Sequence, residues 1–233
     1  MQVNIAKKAA GEKAAAYIQP GMTVGLGTGS TAYYTILRIG ELVRGGMALQ
    51  AVATSADSEQ LAREQQIPLV PFAEVQGIDL DIDGADEADE QLRLIKGGGG
   101  ALLREKIIAA AAGEMLVVID ESKLVKQLGR FPLPVEVIPF AWELTFKQLA
   151  AIGAAPVRRE QEGQPFITDN GNYILDCHYR QIRDAAVVET QLNSIPGVVE
   201  NGLFLHYAVK LIIGYADGTV KEIIRHGPAR RSF

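Results

Sequence analysis

The chain is organised around one stretch, Lys96-Gly97-Gly98-Gly99-Gly100-Ala101-Leu102-Leu103-Arg104-Glu105-Lys106. Four consecutive glycines have no Cβ, so their backbone can adopt positive φ and approach a ligand closely. The apolar-rich segment that follows, as far as Ala112, has the composition of a helix. A glycine loop that leads into a helix presents N–H groups at the positive end of the helix dipole, so this stretch predicts an anion-binding turn.

Glu105 is the unusual residue of this predicted helix. Its neighbours three and four positions away are all apolar, and they are Ala101, Leu102, Ile108 and Ala109. A carboxylate on an apolar stripe beside an anion-binding loop is typical of a base held partly out of water, and its pKa is expected to rise. The alternative is a solvated glutamate at a helix start, stabilised by the helix dipole. The residues of the stretch alone leave both interpretations open.

Strand and helix patterns alternate around this stretch. The predicted strands are Met22–Leu26, Leu49–Thr54, Pro68–Pro71, Ile78–Ile82 and Met115–Asp120, and the predicted helices are residues 3–18, Ala32–Val43 and Ala56–Gln65. This alternation predicts an α/β fold with a mostly parallel, doubly wound (Rossmann-like) sheet. Ligands of such sheets lie beyond the carboxyl ends of the strands. We therefore expect Gly27–Thr31, Asp83–Glu87 and the Lys96–Gly100 loop at that edge.

A proline-rich join, Phe131–Pro134, marks a change of pattern. The elements predicted after it are strands at Val135–Ile138, Val157–Arg159, Tyr173–Cys177 and Val198–Val199, helices at Trp142–Ile152 and Asp184–Asn193, and a hairpin turn at Asp169–Asn172. This order predicts a second, smaller α+β (ferredoxin-like) domain over residues 131–202. Leu203–Tyr215 and Val220–Ile224 are predicted closing strands, so residues 203–233 are assigned with residues 1–130 to the Rossmann-like catalytic domain.

Composition argues against several classes of function. The chain has 233 residues, 48% of them hydrophobic, and a net charge of −5. These values fit one large or two small domains and argue against nucleic acid as a partner. No apolar run is long enough to cross a bilayer, and no signal-peptide core follows the N-terminus. The single cysteine excludes an intrachain disulfide framework. We expect a soluble, cytoplasmic protein that does not contact a membrane.

The acidic run Asp79–Glu90 matches the EF-hand calcium pattern D-x-D-x-D-G-x5-E. Its first half alternates with the period of a strand, and Asp86 stands where that motif usually has an apolar residue, so calcium is not predicted. Cys177 and His178 are adjacent on a predicted strand and point to opposite faces, and the three histidines lack metal-ligand spacing. No metal or other cofactor is expected. The acidic turn is either solvated, or its Asp83 and Asp86 bind or protonate substrate hydroxyls.

A set of motifs in collinear order closely resembles the ribose-5-phosphate isomerase A family. The motifs are Gly27–Thr31, Asp83–Glu87, Lys96–Lys106, Phe131–Pro139, Thr168–Asn172 and Ile195–Phe204. The resemblance extends from about residue 8 to residue 204. Two features depart from the family: the His206–Val220 tail is longer than the usual ending, and Gly100 stands where many members have alanine.

The resemblance implies an aldose–ketose isomerase of the non-oxidative pentose phosphate pathway that uses neither metal nor nucleotide. It would interconvert D-ribose 5-phosphate and D-ribulose 5-phosphate through an enediolate. Glu105 corresponds to the catalytic base, which moves a proton between C1 and C2. Asp83 and Asp86 correspond to residues that open the sugar ring and hold hydroxyls. Lys96, with the N–H groups of the glycine loop, can stabilise the developing oxyanion, and as a loop lysine it is expected to contribute little to packing.

The resemblance also implies the substrate-binding positions and the assembly. The positions are Thr28, Gly29, Ser30, Thr31, Asp83, Gly84, Ala85, Asp86, Lys96, Gly97, Gly98, Gly99 and Lys123. The expected partners are a sugar phosphate and further copies of the chain, as a homodimer or a higher homo-oligomer. Two other classes stay open. One is a sugar-phosphate-sensing binding module, although no basic helix-turn-helix pattern precedes the domain. The other is a coenzyme A transferase, in which Glu105 would form a covalent thioester.

Overall fold

The computed structural model of the protein describes residues 4–225. Val3, which the predicted first helix includes, therefore lies outside the described residues. The chain divides into two compact units. Unit 1 consists of the described residues up to Ala85, Arg104–Leu124 and the described residues from His206 onward, and unit 2 consists of Asp86–Leu103 and Val125–Leu205.

Both units contain helices and strands. The helices are α1 (Ile5–Ala15), α2 (Ala32–Arg44), α3 (Ala56–Glu64), α4 (Leu102–Ala111), α5 (Trp142–Ala151) and α6 (Ala185–Asn193). The strands are β1 (Thr23–Leu26), β2 (Gln50–Ala53), β3 (Ile78–Gly84), β4 (Glu87–Ala88), β5 (Leu94–Ile95), β6 (Ala112–Asp120), β7 (Leu133–Val137), β8 (Pro156–Arg158), β9 (Glu160–Gln161), β10 (Gln164–Pro165), β11 (Tyr173–Cys177), β12 (Val198–Asn201), β13 (Leu203–Phe204), β14 (Ala208–Gly214) and β15 (Val220–Ile224).

Short polar side chains fix the starts of three helices. Asn4 caps α1, Ser55 caps α3 and Asp184 caps α6, each by accepting a hydrogen bond from the N–H three residues later. Such caps satisfy backbone N–H groups that have no partner inside the helix. The helix starts predicted at residues 56 and 184 agree with the structure to within one residue, because a capping residue marks each start.

Unit 1 is built on a six-stranded sheet in the order β15-β14-β6-β3-β1-β2. All neighbouring pairs are parallel except β14 and β15, so the predicted mostly parallel sheet is confirmed. Every residue of β1 is buried, as expected for a central strand covered on both faces. The chain runs from β1 to β2 on one side and then crosses to β3 on the other, which is a topological switch point. The carboxyl ends of β1 and β3 therefore lie side by side.

Unit 2 contains a four-stranded antiparallel sheet in the order β12-β7-β11-β8. Along the chain its elements follow the order β7, α5, β8, β11, α6, β12, which is the ferredoxin-like βαββαβ arrangement predicted from the sequence. Two smaller sheets complete the unit: the hairpin β9–β10 and the three-stranded sheet β13-β5-β4.

The unit boundaries differ from the predicted domains. The sequence pattern assigns residues 86–103 and 125–130 to the Rossmann-like domain, but they belong to unit 2, as do residues 203–205. Strand pairing explains the difference, because β5 pairs with both β4 and β13 and the Val125 N–H donates to the Ala88 carbonyl at 2.9 Å. The predicted continuous strand Leu203–Tyr215 is consequently wrong, since it is divided into β13 in unit 2 and β14 in unit 1.

The predicted strand at Pro68–Pro71 is also wrong. In this segment Leu69 forms a single isolated bridge with Ala51. Proline has no N–H to donate to a strand ladder, and two prolines in four residues leave too few donors for a regular strand.

Candidate active site

Glu105 lies in the first turn of α4, directly after the glycine loop, and only 4% of it is exposed. The four apolar neighbours expected around it are buried as well: Ala101, Leu102, Ile108 and Ala109. A solvated glutamate at the helix start is therefore the wrong interpretation. The structure instead supports a carboxylate that is held away from bulk water at a helix start, as proton transfer from a carbon acid requires.

The predicted site residues divide between the two units, and the half in unit 1 consists of Asp83 and the turn after β1. The Thr28 N–H and the Gly84 N–H donate to Asp83 Oδ1 at 2.8 and 2.7 Å, and Asp83 is fully buried. A Cβ at Gly27 would lie 2.2 Å from this oxygen and 2.4 Å from the Asp83 Cα, so only glycine fits there. The side-by-side ends of β1 and β3 thus bring Thr28 and Asp83 together.

A cluster of hydroxyl groups holds this turn from the side of β2 and α3. The Thr28 hydroxyl is 2.8 Å from those of Thr54 and Ser55, and Ser58 Oγ donates to the Gly27 carbonyl at 2.6 Å. Thr54 and Ser58 are buried, so these bonds form away from solvent. This hydroxyl cluster was not predicted from the sequence, although Thr54 ends a predicted strand and Ser55 directly follows it.

A lysine on α1 completes the surroundings of the same turn. Lys7 Nζ donates to Ser30 Oγ at 2.8 Å and lies 3.9 Å from Asp120 Oδ2. Gly29 has a φ of +100°, and Thr31 occupies the N-cap position of α2. A cation, hydroxyl groups and a helix start in one place can bind an anion such as a phosphate. Nothing in the sequence distinguishes Lys7 from the other lysines of α1.

The remaining predicted residues of unit 1 lie at strand ends. Gly84 is the last residue of β3, Ala85 follows it, and Lys123 ends the 3-10 turn Glu121–Lys123 after β6. A cleft of about 520 Å³ lies at this end of the sheet, and it is lined by Asn4, Ile5, Ala6, Lys7, Asp120, Glu121, Ser122 and Ala216.

The half of the predicted site residues that lies in unit 2 consists of the glycine loop and Asp86. The Gly98 N–H donates to Asp86 Oδ2 at 2.7 Å, and the Gly100 N–H donates to the Gly97 carbonyl at 2.9 Å. Gly97 and Gly100 have φ values of +101° and +83°. A Cβ at Gly98 would lie 2.5 Å from Asp86 Oδ1. The sequence predicts that the whole loop offers its N–H groups to an anion. The N–H groups of Gly98 and Gly100 already bond inside unit 2, so the loop offers fewer N–H groups to an anion than expected.

Lys96 is only 2% exposed, and it is among the largest fully buried side chains. Its N–H donates to the Gly202 carbonyl at 2.9 Å, and its Nζ lies 5.5 Å from the centre of the Phe204 ring. The expectation that it contributes little to packing is wrong. The cause is the pairing of β5 with β13, which covers the residue that follows β5.

Besides Asp86, the side chain of Arg159 bonds the glycine loop, and no pattern in the sequence predicts this contact. Its Nη1 donates to the Gly97 and Gly98 carbonyls, each at 3.0 Å. Its Nε and Nη2 donate to the two carboxylate oxygens of Asp176 at 2.9 and 2.5 Å. Arg159 follows β8 and Asp176 lies on the neighbouring β11, so the ferredoxin-like sheet supplies both residues.

The other chemical groups singled out in the sequence give no metal or thiol site among the described residues, and His226 lies outside those residues. The acidic run includes the strands β3 and β4, which excludes the helix–loop–helix of an EF-hand. Within residues 4–225, no cluster of three or more His, Cys, Asp or Glu side chains is arranged to hold a metal ion. Burial raises the pKa of the Cys177 thiol, which makes this cysteine unreactive. Among the described residues, no helix is long and apolar enough to cross a bilayer.

Comparisons with known proteins extend over nearly the whole chain. The family model described as ribose 5-phosphate isomerase A (phosphoriboisomerase A) matches residues 50–218. A protein of Bacillus mycoides (strain KBAB4) named ribose-5-phosphate isomerase A is 50% identical over 217 residues, which cover 93% of this chain and 98% of that relative.

Solved structures give the same result for the fold. A structure of D-ribose-5-phosphate isomerase in complex with phospho-erythronic acid is 43% identical, with a TM-score of 0.92, and the match covers 97% of this chain and 100% of that chain. The structure of ribose 5-phosphate isomerase A from Methanocaldococcus jannaschii is 42% identical, with a TM-score of 0.88, and the match covers 94% of this chain and 97% of that chain.

Proposed function

Because this chain belongs to the ribose 5-phosphate isomerase A family, it interconverts D-ribose 5-phosphate and D-ribulose 5-phosphate, and we propose that Glu105 is its catalytic base. The observation that carries this assignment is the burial of Glu105 on an apolar stripe in the first turn of α4. The comparisons match isomerases over almost the full chain, so they do not favour a sensor module or a coenzyme A transferase.

The proton transfer proceeds in two steps. The Glu105 carboxylate takes the proton from C2 of the open-chain aldose, and the electron pair of that C–H bond forms the enediol carbon–carbon double bond while O1 becomes negatively charged. The protonated Glu105 then returns the proton to C1, and the hydroxyl proton of O2 passes to O1, which leaves the ketose carbonyl at C2. One base can serve both carbons because they are adjacent.

The negative charge that develops on the substrate oxygens needs a fixed positive group. Lys96 supplies it in this proposal, and its burial makes the charge effective because little water screens it. Asp83 and Asp86 open the sugar ring and hold the substrate hydroxyls. Backbone N–H groups orient both carboxylates, from Thr28 for Asp83 and from Gly98 for Asp86.

The phosphate group of the substrate binds at the start of α2 in this proposal. Ser30 and Thr31 offer hydroxyl groups, Lys7 already bonds Ser30, and Lys123 adds a second positive charge. Gly29 with its positive φ lets the backbone turn closely around the anion. Gly84, Ala85, Gly97 and Gly99 complete the set of substrate-binding positions.

The proposed assembly is a homodimer or a higher homo-oligomer in the cytoplasm. Unit 2 exposes large apolar side chains, among them Phe140, Leu144 and Val157 at 84%, 59% and 55%. A second copy of the chain would cover apolar surface of this kind. Light scattering at several protein concentrations tests this part, and a monomer at every concentration would contradict it.

A direct assay tests the function. The purified protein is incubated with D-ribose 5-phosphate in deuterium oxide, and the ketose that forms is followed by NMR. The expected result is conversion with deuterium incorporated at C1, because the base exchanges its proton with solvent. Turnover is also expected to survive exhaustive EDTA treatment, and activity that only a divalent ion restores would contradict the metal-free mechanism. Binding of the sugar phosphate without turnover would instead indicate a sensor.

A further inference from the structure

The peptide group between Gly97 and Gly98 is held at both of its polar ends. Its carbonyl accepts a hydrogen bond from Arg159 Nη1 at 3.0 Å, and its N–H donates to Asp86 Oδ2 at 2.7 Å. A cation and a carboxylate are therefore joined through one peptide group. Hydrogen bonds in such a chain strengthen one another, because the cation polarises the carbonyl and so makes the N–H a better donor.

Arg159 is well fixed for this task. Asp176 binds the guanidinium with both carboxylate oxygens, and the ring centre of Phe166 lies 5.6 Å from the guanidinium carbon. The side chains of Arg159 and Asp176 are only 14% and 20% exposed. A planar guanidinium that is held in this way loses little further freedom when it binds two carbonyls.

We propose that Arg159 is a positioning residue that holds Asp86 and the glycine loop in their working geometry through the Gly97–Gly98 peptide. The inference rests on the proposed function, because it assumes that Asp86 contacts the substrate. Asp86 gains its orientation from the Gly98 N–H, and Gly98 gains its own from Arg159. Misplacing a substrate-contacting carboxylate by a fraction of an ångström slows an oriented reaction strongly.

The adjacent Arg158 provides a matched control. It donates to Glu160 at 3.2 Å, and its guanidinium carbon lies 4.8 Å from the centre of the Trp142 ring. Arg158 and Arg159 are adjacent and have the same charge, but the loop carbonyls bond to Arg159. Arg158→Ala therefore removes one positive charge from the same part of unit 2 without removing a bond to the glycine loop.

The experiment compares Arg159→Ala, Asp176→Asn and Arg158→Ala by turnover of D-ribose 5-phosphate and by thermal midpoint. We expect Arg159→Ala to lower kcat/KM roughly tenfold in the folded protein, Asp176→Asn to lower it by a smaller factor, and Arg158→Ala to leave it unchanged. Arg159→Lys should recover only part of the loss, because a lysine cannot present the planar fork to both Asp176 and the carbonyls.

A double-mutant cycle with Asp86→Asn separates positioning from general stability. If Arg159 acts through Asp86, Arg159→Ala should cost less than about twofold in the Asp86→Asn background. An equal loss in both backgrounds would overturn the proposal, and so would an Arg159→Ala enzyme as active as Arg158→Ala. Where Arg159→Ala fails to fold, Arg159→Lys replaces it in the same cycle, and the same two outcomes decide. A wild-type protein without isomerase activity would instead contradict the proposed function.

Discussion

The two halves of the predicted site residues, one in each unit, are held in different ways. In unit 1, the turn after β1 is fixed by the ends of neighbouring strands and by short side chains, as in the bond from Thr28 N–H to Asp83. In unit 2, the glycine loop is fixed by Arg159, which reaches its carbonyls from 62 and 61 residues further along the chain. The first arrangement follows from sheet topology, whereas the second depends on one long side chain and its partner Asp176.

The two arrangements differ in how far they can be predicted from the sequence. A switch point in a parallel sheet places the ends of adjacent strands side by side whatever their sequence, so the pairing of Thr28 with Asp83 could be expected. The contact of Arg159 with the loop depends on the register of β8 and β11, which no local pattern encodes. Replacements in the two halves can therefore test how far the comparison holds.

The largest expected effect belongs to Glu105, which lies on the helix that begins in unit 2 and continues in unit 1. Glu105→Gln keeps the shape of the side chain and removes the base. We expect a loss in kcat of roughly a hundredfold or more with nearly unchanged substrate binding, since general-base contributions are typically ~10²–10⁴. Steady-state kinetics with D-ribose 5-phosphate, which give kcat and KM separately, check both parts.

Glu114→Gln is the control for this replacement, because Glu114 is an exposed glutamate at the start of β6. It should leave kcat within about twofold of the wild type, as surface substitutions usually have small effects. A Glu105→Gln protein with most of its activity would show that the base lies elsewhere.

The second largest effect is expected at Lys96. Because this residue is buried, Lys96→Ala removes packing as well as charge and should lower stability by about 2–4 kcal/mol. Lys96→Met keeps most of the volume, so it should retain more of the stability and still lose roughly tenfold or more in kcat. Chemical denaturation and kinetics on both variants separate the two roles. If Lys96→Met has full activity, the charge of Lys96 has no part in the reaction.

The sequence predicted the helices and strands of this fold better than it predicted which unit each of them belongs to. The apolar stripe around Glu105 and the hydroxyl-rich turn at Gly27–Thr31 could be read directly, because both are local patterns. The burial of Lys96 and the assignment of residues 86–103 to unit 2 could not, because both depend on the pairing of β5 with β13. That pairing joins segments more than a hundred residues apart, and two-residue strands carry no periodicity.

Two glycine replacements compare the halves of the site directly. Gly27→Ala places a Cβ 2.4 Å from the Asp83 Cα, and this backbone atom cannot rotate away. Gly98→Ala meets the Asp86 carboxylate at 2.5 Å, and a side chain can move. We therefore expect Gly27→Ala to cost about 2–3 kcal/mol of stability and Gly98→Ala about 1 kcal/mol.

The two variants should also differ in how their activity is lost. Gly98→Ala displaces Asp86, so the folded enzyme should turn over more slowly at a nearly normal thermal midpoint. Gly77→Ala is the control, because no atom lies within 4 Å of a Cβ at that position and its φ is not positive. If Gly98→Ala proves more destabilising than Gly27→Ala, the glycine loop is more rigid than the turn after β1, contrary to the expectation.

The smallest effect is expected at Glu222 on β15. This residue is distant in sequence from both halves of the site, so its replacement tests the stability of unit 1 alone. Partial burial acts to raise the pKa of Glu222, but hydrogen bonds from Tyr17, Lys210 and Lys13 outweigh it, so the pKa is lowered. A carboxyl whose pKa is lower in the folded than in the unfolded protein stabilises the fold above its unfolded pKa. This stabilisation is lost as the pH falls through the folded value.

Glu222→Gln should therefore lower the free energy of unfolding by about 1 kcal/mol at pH 7 and by progressively less as the pH falls below ~4. Turnover of the folded protein at pH 7 should not change, because the proposed reaction does not use Glu222. Urea denaturation at a series of pH values, followed with kinetics on the same samples, measures both quantities. A stability difference that does not depend on pH would show that Glu222 acts through packing alone. Slower turnover would show that the β14–β15 hairpin influences the site residues. The elements that hold these residues would then include the tail of the chain.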